Sequence, residues 1–282
     1  MNSLKLNEML KAFFIEDIGE RDATSSALFS GTERGSFTLI SKENGIFCGA
    51  DIIAAGFSLL DPEANVTLHA KDGDAIARGA IIAVIEAKTT ALLMAERVVL
   101  NLVQRMSGIA TQSRQAAAIF EGTKTKVCDT RKTTPGLRML EKYAARCGGA
   151  SNHRYGLYDG IMIKDNHIDF MGGISKAVAQ AKTAAGHMVK VEVETTNKQQ
   201  VEEAVLAGVD IIMFDNCTPG EIKELVKLVP DTIVTEASGG ITLDCLDEYR
   251  DCGVDYISLG CLTHSVQALD ISAKVNYMEV SR

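Results

Sequence analysis

The sequence predicts an α/β protein in two parts. A small mixed domain spans residues 1–108, and a closed or nearly closed (β/α) barrel spans 109–269. Three observations carry this reading. Short β-branched runs recur after residue 109, and the last four begin at 189, 210, 232 and 255. That spacing is the cadence of βα units and therefore of a parallel sheet. No Gly-rich dinucleotide fingerprint follows a strand and no phosphate-binding P-loop occurs, which leaves a barrel favoured over an open doubly wound sheet. Finally, 282 residues with 46% hydrophobic content and only 4 prolines permit a large core and exclude fibrous or disordered classes.

The elements follow in order. Leu4 to Phe14 has apolar residues at helical spacing. Ser36–Ser41, Val66–Ala70 and Ala80–Glu86 carry strand signals, and the Gly- and Asp-rich segments between them supply turns. The run DGDAIARGAIIAVIEA has the turn rhythm of lipoyl-type sandwich domains without an attachment-lysine motif, so it reads as scaffold. Ala91 to Gln104 reads as a helix of good helix formers. Strands are then expected at Lys126–Asp129, Gly160–Lys164, Val189–Glu194, Asp210–Phe214, Thr232–Thr235 and Asp255–Leu259. Helices are expected at Gly173–Ala185, Lys198–Ala207, Pro219–Leu228 and Leu243–Cys252.

Charge and cysteine usage restrict the partners. Lys and Arg number 29 against 37 Asp and Glu, a formal charge of −8. Such a chain has no bulk attraction to nucleic acid, so any anionic ligand needs a local basic cluster. The 7 cysteines are odd in number and form no Cys-x-x-Cys, which argues against a disulfide framework and for a reducing, cytoplasmic setting. The N-terminal residues show no secretory signal, and no apolar window of about 18 residues suggests a membrane span.

Chemistry in a barrel belongs at the C-terminal ends of its strands. Each expected strand here ends in polar residues: Asp129 to Lys132, Lys164 to Asn166, Glu192 to Glu194, Asp215 and Asn216, Glu236 to Gly240, and Gly260-Cys261. Arg131, Lys132, Arg138, His153, Arg154 and Lys164 fall close together and form a basic rim. Arginine forks match carboxylates and phosphates, and lysine acts as a compact point charge. Thr130, Thr133 and Thr134 and nearby glycines suit close approach of an anion, so a small polyanionic substrate is expected. Ser238, Gly239, Gly240 and Gly260 follow the last two strands, where barrels place backbone amides around a phosphate. Glu192 and Glu194 alternate on one strand and share a face, and Asp215 ends the next. Carboxylates there suit ribose hydroxyls, water-mediated Mg²⁺ or a developing cation. The alternation leaves open which of Glu192 and Glu194 faces a ligand. His167 is expected to hold its loop, His69 and His187 to be peripheral, and no spacing supports structural zinc.

Residues 129–168, DTRKTTPGLRMLEKYAARCGGASNHRYGLYDGIMIKDNHI, resemble the signature block of the quinolinate phosphoribosyltransferases. EDIGERDATS at 16–25, ERVVLNLVQRMSGIAT at 96–111, and VEVET, MFDN, EASGGI and SLGCLTHS resemble further motifs of that family in order. Arg21 departs from the glycine common in the first of these. The resemblance implies an N-terminal α/β sandwich followed by an incomplete α/β barrel, with the tail 270–282 returning to the first domain. It implies decarboxylating transfer of phosphoribose from phosphoribosyl pyrophosphate to quinolinate, a requirement for Mg²⁺, and a homodimer or larger assembly such as a hexamer. Residue by residue, Thr130, Arg131, Lys132, His153 and Arg154 would hold substrate, with Arg97 supplied by the partner subunit. Lys164, Glu194 and Asp215 would form the catalytic group, the two acids also serving the metal through water. Ser238, Gly239, Gly240, Gly260 and Cys261 would cradle the 5-phosphate. The alternatives are a same-fold pyrophosphorylase of the molybdenum-transport-associated type, a Schiff-base lyase using Lys164, and a non-catalytic scaffold.

Overall fold

A computed structural model describes residues 1–276. The chain forms two compact units. One holds Met1–Gln112, Met139–Gly148 and the described residues from Val266, and the other holds Ser113–Arg138 and Gly149–Ser265.

The first unit opens with α1 (Ser3–Ile18), capped by the Asn2 side chain, which accepts from the Lys5 amide at 3.1 Å. Leu6, Leu10 and Phe14 recur every four residues and are its buried stripe. Asp22 caps α2 (Ala23–Leu28) by accepting from the Thr24 and Ser25 amides. Next come β1 (Arg34–Ser41), β2 (Gly45–Ile46), α3 (Ala50–Leu60), β3 (Asn65–Leu68), β4 (Ala75–Ile76), β5 (Ile81–Lys88) and the long helix α4 (Thr89–Ile119). β1 pairs antiparallel with β5, and β5 with β3. β1 buries Ser36 to Leu39 in succession, so both of its faces are covered.

The second unit is built on six parallel strands. β6 (Lys126–Cys128) is followed by α5 (Arg138–Cys147), whose residues beyond Arg138 belong to the first unit, and then by β7 (Ile161–Ile163), α6 (Asp165–Met171) and α7 (Ile174–Ala184). β8 (Val191–Thr195), α8 (Lys198–Leu206), β9 (Ile211–Asp215), α9 (Pro219–Leu225), β10 (Val234–Ser238), β11 (Tyr256–Ser258) and α10 (Cys261–His264) complete it. The strand order is β6-β11-β10-β9-β8-β7. Ser151 adds one parallel bridge outside β6. In a flat sheet the chain beside β6 would lie roughly 24 Å from β8. His153, two residues past that bridge, instead reaches Glu192 on β8 at 3.3 Å. The sheet therefore curls on itself, while no ladder joins β7 to the Ser151 bridge among the described residues. The result is an incomplete (β/α) barrel.

The last strand, β12 (Ile271–Asn276), lies antiparallel beside β1 at the edge of the first unit's sheet. Of the tail expected to return there, residues 277–282 lie outside the described residues. α4 packs closely on the segment that precedes β12: a Cβ on Gly108 would fall 2.1 Å from the Gln267 carbonyl oxygen.

Two expectations differ from the structure in detail. The helix expected over Leu243–Cys252 is only a 3₁₀ turn, Leu246–Tyr249. Its buried residues are those two, three apart, which suits three residues per turn, and Asp and Cys around them are weak helix formers. The segments forming α3, α5 and α6 were not expected to be helical.

Candidate active site

The C-terminal strand ends of the second unit surround a cleft of about 680 Å³. Thr130, Arg131, Lys132, His153, Arg154, Lys164, Glu194, Asp215, Ser238, Gly239, Gly240, Gly260 and Cys261 all line it. Arg97 does not belong to this group. It lies exposed on α4 in the first unit, with no hydrogen bond or ion pair among the described residues.

The cations of the cleft are unevenly satisfied. The Lys164 ammonium is paired with Glu194 Oε1. Arg131, Lys132 and Arg154 reach no carboxylate within ion-pair distance among the described residues, and Arg131 Nε is buried without any hydrogen-bond partner. Arg154 donates to the Gly160 carbonyl at 3.0 Å and toward Met162 Sδ at 3.5 Å. Burial, and then repulsion from Arg131, pulls the Arg154 guanidinium below its ordinary range. Glu192, Asp159 and Glu194 oppose that shift from beyond ion-pair distance, and two arginines crowding each other without a carboxylate in contact are costly unless an anion joins them. Arg138, the remaining arginine of the expected rim, is instead a strut. Its Nε donates to Thr133 Oγ1 at 2.9 Å and its terminal nitrogen to the Tyr155 carbonyl at 3.0 Å.

Local hydrogen bonds explain how these side chains are presented. The buried Asp129 carboxylate, at the end of β6, accepts from the His153 amide at 2.8 Å and the Asn152 side chain at 2.7 Å. It thereby fixes the Asn-His-Arg turn. The Arg154 amide donates to His153 Nδ1 at 2.8 Å. A nitrogen that accepts carries no proton, so the ring proton is on Nε2. That nitrogen faces Glu192 Oε2 at 3.3 Å and Glu236 Oε1 at 3.6 Å. His167 Nδ1 accepts from the Lys164 amide at 3.0 Å and so starts α6, which fixes the backbone beneath Lys164.

Below the cleft, His153, Glu192 and Glu236 line a second cavity of about 450 Å³, toward the opposite ends of the strands. Ser258 Oγ donates to Glu236. Burial and the neighbouring Glu192 charge push the Glu236 carboxyl up to about 7, against the pull of His153 and Ser258. Glu192 is 4% exposed, and its Oε1 has no partner. At the rim, burial raises Glu194 above the ordinary carboxylate range, while Lys164 opposes that shift. Depth thus separates the two glutamates of β8: Glu192 faces the interior cluster and Glu194 the cleft.

The glycine wall is shaped by backbone conformation. Gly239 has φ of +92°, and a Cβ there would lie 2.4 Å from Asn216 Oδ1 and 2.6 Å from the Asn216 amide nitrogen. Asn216 is itself left-handed at φ 55°, is bonded to the Ser238 carbonyl through its amide, and donates through Nδ2 to Asp215 at 2.8 Å. Gly240, at φ +66°, has open space where a side chain would stand. Asn216 was expected on the rim as a polar strand end, but sequence reasoning did not single out Thr242 or His264 as lining residues, nor Glu236 as a partner of His153.

The comparisons agree with this geometry. The quinolinate phosphoribosyl transferase N-terminal domain matches residues 22–107 and the C-terminal domain of the same family matches 109–274. A probable nicotinate-nucleotide pyrophosphorylase (carboxylating) of Bacillus subtilis is 55% identical over 275 residues, covering 98% of this chain and 95% of its own. A crystal structure of NadC from Streptococcus pyogenes superposes with a TM-score of 0.95 at 38% identity, covering 99% of each chain. The nicotinate-nucleotide pyrophosphorylase of Francisella tularensis gives 0.93 at 35% identity, covering 98% of each. With both domains matched in order over a cleft of that composition, the chain belongs to the quinolinate phosphoribosyltransferase family.

Proposed function

We propose that the protein transfers the phosphoribosyl group of 5-phosphoribosyl-1-pyrophosphate to quinolinate, releasing pyrophosphate and CO₂ and leaving nicotinate mononucleotide for NAD synthesis. The observation that carries this reading is the set of three cations, Arg131, Lys132 and Arg154, with no carboxylate in ion-pair contact among the described residues, in one cleft of an acidic protein. Quinolinate brings two adjacent carboxylates, which this set would neutralise, and the two arginines offer forks for bidentate contact. His153 serves chiefly by holding the Arg154 backbone through Nδ1.

Ser238, Gly239, Gly240, Gly260 and Cys261 would hold the 5-phosphate, since the three glycines among them let backbone come close to its oxygens. The quinolinate ring nitrogen attacks C1 of the ribose as pyrophosphate leaves, through a state with positive charge on the sugar. Glu194 and Asp215 stand where carboxylates would bind ribose hydroxyls and oppose that charge. Lys164, held by Glu194, would meet substrate and the departing pyrophosphate. The pyridinium so formed stabilises the carbanion that CO₂ loss leaves on the adjacent ring carbon, and that carbon then takes up a proton from water. No covalent nucleophile is required, and the residues act by position and charge.

The cleft also suits Mg²⁺. That ion binds through one or two carboxylates plus substrate phosphates and keeps several waters, and Glu194 and Asp215 provide such a pair on one wall. When bound, it would neutralise pyrophosphate charge. Exposed and unpaired, Arg97 is available to a second copy of the chain, which supports a homo-oligomer with shared sites. Cytoplasmic residence belongs to the same reading and rests on seven free cysteines. No helix among the described residues is long and apolar enough to cross a membrane.

The test is incubation with quinolinate, phosphoribosyl pyrophosphate and Mg²⁺, with nicotinate mononucleotide as readout. Leaving one cationic partner without its carboxylate costs about 1–3 kcal/mol or more, so kcat/KM for nicotinate should fall well below that for quinolinate. Equal values would overturn the assignment. A Schiff-base role for Lys164 needs an apolar setting and is disfavoured by its contact with Glu194; failure of borohydride to trap substrate would confirm this.

A further inference from the structure

The first unit holds a second cluster of reactive groups, one that phosphoribosyl transfer does not use. Cys48 lies in the turn before α3, and Cys147 is the last residue of α5. Their sulfurs and a carboxylate oxygen of Asp72 all lie within 4.8 Å of one another. Cys48 is buried and Cys147 is partly exposed.

Asp72 is committed elsewhere. Its Oδ1 accepts the Gly49 and Ala50 amides at 2.7 and 2.9 Å and so caps α3, and its Oδ2 accepts the Tyr143 hydroxyl at 2.6 Å. Two thiols and one occupied carboxylate fall short of the four donors of a closed zinc site. What remains is a thiol pair, one member reachable from solvent and the other directly behind it. We infer that Cys147 is a site of peroxide oxidation and that Cys48 resolves it, closing a Cys48–Cys147 disulfide.

The two sulfurs have different characters. The neighbouring Cys48 thiol lowers Cys147 below the ordinary thiol range, and the Arg146 guanidinium acts in the same direction against burial and the Asp72 charge. The same proximity, together with burial, pushes Cys48 up. A thiolate is the nucleophile, so the outer cysteine attacks and the inner one waits as a thiol. This is the arrangement of an oxidisable cysteine beside a resolving partner.

The chemistry balances with hydrogen peroxide as the oxidant. The Cys147 thiolate attacks one peroxide oxygen and the O–O bond breaks. Hydroxide leaves and takes up the proton that Cys147 had released, and the sulfur becomes a sulfenic acid. Cys48 then attacks that sulfur. The S–S bond forms, the S–O bond breaks, and a second water leaves with the Cys48 proton. One peroxide is reduced to two waters and two thiols are oxidised to one disulfide. The sulfurs, within 4.8 Å of each other, must close to about 2 Å.

The test uses the full chain, reduced, freed of reductant and exposed to stoichiometric hydrogen peroxide. Remaining thiols are alkylated and the digest is mapped by mass spectrometry. The expected product is one linked pair of peptides carrying Cys48 and Cys147, separated again by dithiothreitol. Cys261 is also partly exposed, but burial raises its thiol, and it should react more slowly than Cys147 because less of it is thiolate. In Cys48→Ser, Cys147 should stop as a sulfenic acid that dimedone captures. In Cys147→Ser, Cys48 should remain reduced. Absence of the linked peptides from the unaltered protein, at a dose that oxidises Cys261, overturns the inference whatever the variants do. Protection of both thiols by one equivalent of Zn²⁺ also overturns it and makes the cluster a metal site. Neither readout involves phosphoribosyl transfer.

Discussion

Replacing Glu236 by Gln is expected to stabilise the protein at pH 8 and to leave its stability at pH 4 nearly unchanged. The carboxyl is 4% exposed, deep in the barrel beside Glu192 and His153. Burial and the Glu192 charge raise it from an ordinary 4.5 to about 7. Below 4.5 the folded and unfolded chains both hold the proton. Between 4.5 and 7 the folded chain holds it and the unfolded chain does not, so stability falls as pH rises through that window. Above 7 the whole penalty is present. At 1.36 kcal/mol per unit it amounts to about 3 kcal/mol. Gln keeps a carbonyl oxygen for the Ser258 hydroxyl and removes the charge, so most of that penalty should disappear. Urea unfolding followed by far-UV circular dichroism at pH 4, 6 and 8 measures it. With a slope of about 3 kcal/mol/M for a chain of this size, the midpoint should move up by roughly 1 M at pH 8 and hardly at all at pH 4. An equal shift at both pH values, or a destabilised variant at pH 8, would refute the reasoning.

Other substitutions test the cleft. Gly239→Ala places a methyl 2.4 Å from Asn216 Oδ1 at a φ of +92°, and should lose about 2–4 kcal/mol of stability from strain and overpacking; raised KM for phosphoribosyl pyrophosphate with KM for quinolinate unchanged is the kinetic readout. Arg154→Lys removes the fork that donates to the Gly160 carbonyl and should weaken quinolinate binding roughly 10- to 100-fold by calorimetry, the cost of about 1.5–3 kcal/mol for a charged hydrogen bond. Mixing inactive Arg97→Ala and Lys164→Ala chains should restore roughly a quarter of the native activity, since about half of randomly formed dimers are mixed and each carries one intact site. If mass spectrometry shows subunit exchange and no activity returns, Arg97 does not act across an interface.

The barrel was legible because its strands are short β-branched runs at even spacing, and a parallel sheet covered on both faces asks for little else. α5 was not legible. Its sequence, RMLEKYAARC, is rich in charge, yet Glu141 and Lys142 are buried at 1% and 0% exposure. What admits Glu141 is Arg105, which donates to it from 36 residues away at 2.9 and 2.7 Å. No local window contains that partner. β12 shows the same limit, since Ile271–Asn276 is ordered by pairing with β1 at the other end of the chain.

The cleft shows where sequence pattern stops. A period of two states which side chains share a face, and it grouped Glu192 with Glu194. It does not state how far along the barrel axis each lies, and that distance separates their chemistry. Two residues further along β8, Glu194 meets Lys164 at the rim. Glu192 meets His153 inside, close to Glu236 from a strand two places away in the sheet. The same curvature brings His153, which also lines the cleft, against Glu192 through Nε2 while its Nδ1 accepts from the Arg154 amide. The interior cluster therefore holds the Asn-His-Arg turn from below, while Asp129 holds it from β6. Arg154 is aimed by groups that need not touch a substrate, so the basic rim owes its geometry to buried acids beneath it.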